Sequence, residues 1–108
     1  MDTVLDKLAT ILEQRRSAAT GSSYVSSLYA AGRARILEKI EEEAAELVTA
    51  GKDETDRQVI HETADLWFHT LVLLAERGLH PKDVLAELER RFGKSGLEEK
   101  AERGAGTP

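Results

Sequence analysis

Apolar residues recur along this chain at spacings of three and four, the period of amphipathic helices, and no stretch alternates in the two-residue period of a strand. The pattern predicts an all-α chain. A first helix is expected over residues 3–16, with Val4, Leu5, Leu8, Ile11 and Leu12 on one face and the basic Arg15 and Arg16 near its C-terminal end. Small polar residues around Gly21 then predict a mobile loop over residues 17–23. A short helix follows from Tyr24 to Ala31, ended by Gly32. Two long helices are expected next, one from Arg33 to Ala50 with Gly51 as its cap, and one from Glu54 through Arg77, closing at Gly78. Their connection is short, so they should lie antiparallel. Pro81 suits the first position of a last helix carrying Val84, Leu85, Leu88 and Phe92. Beyond Gly93 the apolar period is lost. The expected organisation is one helical-bundle domain over residues 1–92 and a flexible charged tail over residues 93–108.

The two long helices each break their own pattern with acids. On the first, Ile36, Ile40, Ala44, Leu47 and Val48 fall within a sector of roughly 120°, and Glu43 lands about 20° outside its edge, bordering the core. Glu46 sits one turn further on. On the second, Ile60, Ala64, Trp67, Leu71 and Leu74 form an apolar stripe, while Glu62, Asp65 and His69 share a sector of roughly 60° on the other side, flanked by Leu66, Val72 and Leu73. Acids in such a setting need a partner, because a buried carboxylate is costly unless it is paired or binds a metal. Two pairs at matching spacing, Glu43 with Glu46 and Glu62 with Asp65, on antiparallel helices can face each other across one site. Several oxygen ligands favour Mg2+, with Mn2+ a substitute, over zinc. The competing reading is that Glu41, Glu42 and Glu43 are a solvated helix face.

Composition narrows the class. The chain has 108 residues, 41% hydrophobic and 32% charged, enough for one modest core and too charged for a membrane protein. Neither a bilayer-spanning run nor a signal peptide is visible, so a cytoplasmic location is expected. Cysteine is absent, which removes disulfides, thiolate catalysis and Cys-based metal sites. A net charge of -5 argues against nucleic acid as a partner but not against a nucleotide carried with Mg2+.

Other motifs fail on their own terms. His61-Glu62-Thr63-Ala64-Asp65 begins like a zincin motif but ends in Asp where the second His belongs. No His stands three residues after a Glu, as a di-iron bundle requires, and no Walker A loop, G-x-G-x-x-G run or nucleophile elbow occurs. His69 is either a satisfied bundle histidine or a contact for water or phosphate. Lys39 is either a solvated partner of Glu43 or a phosphate contact. Tyr24 is either core packing or a ligand contact.

The pattern Lys39-x-x-Glu42-Glu43-x-x-Glu46, then Glu62-x-Ala64-Asp65-Leu66 and His69-x-Leu71-Val72-Leu73-Leu74, resembles the phosphoribosyl-ATP pyrophosphohydrolases of histidine biosynthesis. The split E-E-x-x-E and E-x-x-D motif marks the wider all-α superfamily that includes MazG-like enzymes and dimeric dUTPases. Ser23-Tyr24-Val25 upstream and Val84-Leu85-x-Glu87-Leu88-x-x-Arg91 downstream point to the histidine-pathway member. The sequence departs from the family at Glu41, often Gly, and in residues 19–22. The resemblance implies a bundle completed by homodimerisation, with Mg2+ held by Glu43, Glu46, Glu62 and Asp65 and with Glu42 close by. It implies hydrolysis of phosphoribosyl-ATP to phosphoribosyl-AMP and pyrophosphate. Glu42 or Glu46 is then the expected general base, Lys39 with Arg33 or Arg35 the phosphate contacts, and His69 a group that orients water or phosphate. The alternatives are a MazG-like dNTP pyrophosphohydrolase and a non-catalytic helical interaction domain.

Overall fold

The computed structural model describes residues 3–16, 23–92 and 100–103, and among them no strand occurs. The expected mobile loop lies almost wholly outside the described residues. Five helices follow in order: α1 (Val4–Arg16), α2 (Tyr24–Ala31), α3 (Arg33–Asp53), α4 (Asp56–Glu76) and α5 (Pro81–Arg90). Residues 100–103 are also helical, and the Arg90 guanidinium lies 3.5 Å from the Glu102 carboxylate.

Local chemistry sets the boundaries. Ser23 caps α2, its hydroxyl accepting from the Ser26 N–H. Gly32, at φ 100°, turns the chain directly from α2 into α3, a conformation that a side chain would strain. Thr55 caps α4 by accepting from the Gln58 N–H. The end of α4 closes through Gly78 at φ 74°. Pro81 occupies the first turn of α5, inside a reciprocal cap in which His80 accepts from the Lys82 N–H and Asp83 accepts from the His80 N–H.

α3 and α4 form the central antiparallel pair, and α1 and α2 close over their outer end. Leu12, Val25, Leu28, Ile36, Leu71, Val72 and Ala75 make the core there, with Leu5, Leu8, Tyr29, Ile40 and Phe68 packed against it. At the other end of the pair, Ala50 is fully buried.

Three expectations are corrected. α3 does not stop at Ala50 with Gly51 as its cap; it runs to Asp53 and is capped at Glu54, whose N–H donates to the Ala50 carbonyl. A helical Gly costs about 1 kcal/mol relative to Ala, too little to end a helix whose neighbour Ala50 is anchored. α4 correspondingly starts at Asp56 rather than Glu54. Most consequentially, the apolar stripes expected on the two long helices are only partly buried, although Glu43 and Glu62 lie on buried surface as expected. Ile60 and Trp67 are exposed, at 69% and 59%, and Ala64 is exposed beside them, while Glu62 and His69 are buried against the rest of the chain. Val48 of α3 is exposed as well, and Glu43 takes a place on the buried face. Helical period groups residues onto faces but does not say which face meets the chain's own core.

Candidate active site

Glu43 and Glu62 are buried, at 7% and 6% exposure, and project from facing positions on α3 and α4. One carboxylate oxygen from each of Glu43, Glu46 and Glu62 lies within 4.8 Å of the others. A second cluster with the same spread joins Glu62 to Asp65 and His61, so Glu62 belongs to both. The four acids expected to act together are therefore gathered along the α3–α4 seam.

The local hydrogen bonding leaves this cluster unsatisfied. Gln58 Nε2 donates to Glu62 Oε1 at 2.9 Å, and Lys39 Nζ lies 3.4 Å from Glu43 Oε1. The remaining oxygens, Glu43 Oε2 and Glu62 Oε2, are buried without any partner. Each is an acceptor removed from water, a state that costs several kcal/mol unless a cation or donor reaches it. Glu46, more exposed, has its pKa raised, first by sharing a hydrogen bond with Glu62 and then by that neighbour's charge. Mutual repulsion among hard oxygen donors with two orphaned lone-pair sets fits a small divalent cation, for which carboxylates and water together supply six ligands.

Glu42 stands apart from both clusters. Its carboxylate is held below its ordinary pKa by Lys39 Nζ at 3.0 Å, with Arg35 at 3.4 Å adding to the effect. Lys39 thus bridges Glu42 and Glu43, and its own pKa is raised, chiefly by Glu42. Tyr24 and His69 meet: the Tyr24 hydroxyl is 2.8 Å from His69 Nε2, and His69 Nδ1 is 2.8 Å from the Asp65 carbonyl oxygen. A carbonyl only accepts, so Nδ1 carries the proton, and in the neutral ring Nε2 accepts from Tyr24. Both ring nitrogens are engaged by the protein, and the rings pack edge to face. Arg33 is not brought to the cluster. It lies ten residues before Glu43, about 15 Å along the helix, and forms a bidentate pair with Glu76, both oxygens 2.8 Å from Nε.

Two neighbours of the acids escaped the sequence reading. Gln58 and His61 each stand four residues before the acid they touch, with His61 Nε2 3.3 Å from Asp65 Oδ2. That i,i+4 spacing was the available signal.

A helical bundle that gathers acid clusters along the seam of two antiparallel helices defines the broad class, an all-α protein with a carboxylate site that could hold a metal ion. The family model described as phosphoribosyl-ATP pyrophosphohydrolase matches residues 5–92. A relative from Methylococcus capsulatus, named phosphoribosyl-ATP pyrophosphatase, is 59% identical over 103 residues, covering 95% of this chain and 98% of its own. Another of the same name, from Vesicomyosocius okutanii, is 55% identical with the same coverage. The chain belongs to the phosphoribosyl-ATP pyrophosphohydrolase family.

Proposed function

We propose that this protein hydrolyses the α–β phosphoanhydride of phosphoribosyl-ATP, giving phosphoribosyl-AMP and pyrophosphate in the second step of histidine biosynthesis. The observation that carries the reading is the pair of buried, unpartnered oxygens on Glu43 and Glu62 within a carboxylate cluster, in a chain of this family. Glu43, Glu46, Glu62 and Asp65 would hold Mg2+, with Mn2+ as a substitute. Bound there, the ion would neutralise phosphate charge and lower the pKa of a water.

The chain's own residues supply the rest. Lys39, bridging Glu42 and Glu43, is the cation nearest the cluster and can move to a substrate phosphate. Glu42 lies outside both clusters, and its oxygens, paired with Lys39 and Arg35 in the unliganded chain, would take the proton of the attacking water once Lys39 leaves. When Lys39 turns to phosphate, the main cause of the lowered Glu42 pKa leaves with it, and Glu42 becomes the stronger base. Tyr24 and His69 fix α2 against α4 at Asp65 and act by positioning that acid. Arg33, committed to Glu76, secures the α3–α4 pair at its far end.

The domain of residues 1–92 acts as a homodimer in this reading. Trp67 and Ile60 on α4 and Val84, Leu85 and Leu88 on α5 are large apolar side chains left exposed, which a second copy would cover. Trp67 and the three α5 residues share one largely apolar groove with Leu74 and Leu5. No helix among the described residues is long and apolar enough to cross a membrane; independently of that, the reading takes the substrate to be a small-molecule nucleotide rather than nucleic acid, in the cytoplasm.

The test is pyrophosphate release from phosphoribosyl-ATP and a panel of dNTPs, with and without Mg2+. Mg2+-dependent turnover of phosphoribosyl-ATP above every dNTP is expected. Preference for a dNTP would instead mark a house-cleaning enzyme, and no turnover of any of them a non-catalytic domain.

A further inference from the structure

Beside the carboxylate cluster lies a cavity of about 250 Å3, walled by Ala45, Glu46 and Thr49 of α3, by Glu62 of α4, and by Glu54 in the turn between them. Every polar group it offers is an acceptor. The Thr49 hydroxyl spends its proton on the Ala45 carbonyl at 3.2 Å, leaving only lone pairs, and the other three are carboxylates. Glu54 belongs to neither metal-type cluster. Among the described residues its carboxylate has no hydrogen-bond or ion-pair partner, while its backbone is fixed by the N–H bond to Ala50 and by the Thr55 cap that follows. It is thus a held but unused acceptor at the mouth of a polar cavity that opens onto the buried Glu62.

With Glu46 and Glu62 engaged by the ion, the cavity leaves the Glu54 carboxylate and the Thr49 hydroxyl oxygen to a ligand, and these acceptors suit a neutral group with hydroxyl donors. In a nucleotide whose phosphates lie on the acid cluster, the group one ester bond away from the α-phosphorus is the adenosine ribose. We propose that Glu54, assisted by Thr49, is the ribose-recognising residue, its carboxylate accepting from the 2′- and 3′-hydroxyls. This rests on the nucleotide reading of the site but adds a specificity to it. A carboxylate paired with a ribose diol is a known solution to nucleoside recognition in unrelated folds, and it penalises the 2′-deoxy form by leaving an acceptor without its donor. The same acid motif could then serve a ribonucleotide enzyme here and a deoxyribonucleotide enzyme elsewhere by changing the turn after α3.

The experiment is calorimetric titration, in the presence of Mg2+, of α,β-methylene-ATP and its 2′-deoxy counterpart into the wild-type chain and into Glu54→Ala. Glu54 is exposed in a turn, so the variant should fold. The wild type is expected to bind the ribo form about tenfold tighter than the deoxy form. Glu54→Ala should lose that preference by weakening the ribo form alone, with Mn2+ binding measured without nucleotide unchanged. Equal discrimination in both proteins would remove Glu54 from the ribose, and weaker Mn2+ binding by the variant would make it a metal ligand instead; either result overturns the proposal. Absence of pyrophosphate release from phosphoribosyl-ATP by the wild type would defeat the proposed reaction but leave the binding comparison intact.

Discussion

Glu62→Gln removes one buried charge at the centre of the site without changing the shape of the side chain. In the metal-free protein Glu62 and Glu43 place oxygens within 4.8 Å of each other, and at an effective dielectric of about 20 two unit charges at that distance repel by about 3 kcal/mol. Lys39, 3.4 Å from Glu43, takes back part of that, leaving about 1–2 kcal/mol to be relieved. The amide also brings a donor to a place where Glu43 Oε2 has none, while its oxygen can still accept from Gln58. The variant should therefore melt higher than the wild type without metal, by about 5–10 °C for a domain of this size. With metal the order should reverse. An ion at ten times its Kd stabilises a protein that binds it by ~1.4 kcal/mol, and the variant should lose most of that gain. Thermal melts with EDTA and across a Mg2+ series measure both effects. A lower melting temperature of Glu62→Gln in EDTA, or an undiminished response to Mg2+, would refute the argument that these acids are a self-repelling pair awaiting a cation.

Further perturbations test other parts of the argument. The Glu46 pKa is raised from 4.5 in the fold, so this group adds stability below the unfolded value and takes it away as pH rises through the folded one. Urea denaturation without metal should show wild type gaining stability as pH drops from neutral toward about 4.5, and Glu46→Gln should flatten that gain. Tyr24→Phe leaves His69 Nε2 without its partner and should cost about 1 kcal/mol in urea denaturation, while lowering kcat through a less well-held Asp65. At Gly32 nothing lies within 4 Å of an added Cβ, yet φ is 100°; Gly32→Ala should thus cost about 1 kcal/mol or more from backbone strain alone. Trp67→Glu on the exposed apolar face should convert a dimer of twice 11.9 kDa to a monomer by light scattering; an unchanged mass would place the interface elsewhere.

Helical period, capping residues and short connections already determine this as an all-α chain with two long antiparallel helices, because those signals are local and the backbone obeys them turn by turn. Gly32, Gly78 and Pro81 are legible in the same way, whereas the Thr55 cap was not, the helix having been expected from Glu54. The acid pairs were legible too, since Glu43, Glu46, Glu62 and Asp65 share a spacing that a bland surface has no reason to repeat. Facing was legible only in part: the acids were read against buried surface, but the exposure of Ile60 and Trp67 was not. An amphipathic helix with apolar residues on two sides can turn either one inward, and only packing against α1, α2 and α3 decided that Glu62 and His69 are buried while Ile60 and Trp67 are exposed. The same nonlocal packing joined Tyr24 to His69 across 45 residues, sent Arg33 to Glu76 rather than toward the acids, and opened the cavity beside Glu54. Spacing along one helix fixes which groups are neighbours on it; the groups they meet from another helix follow from the shapes of both.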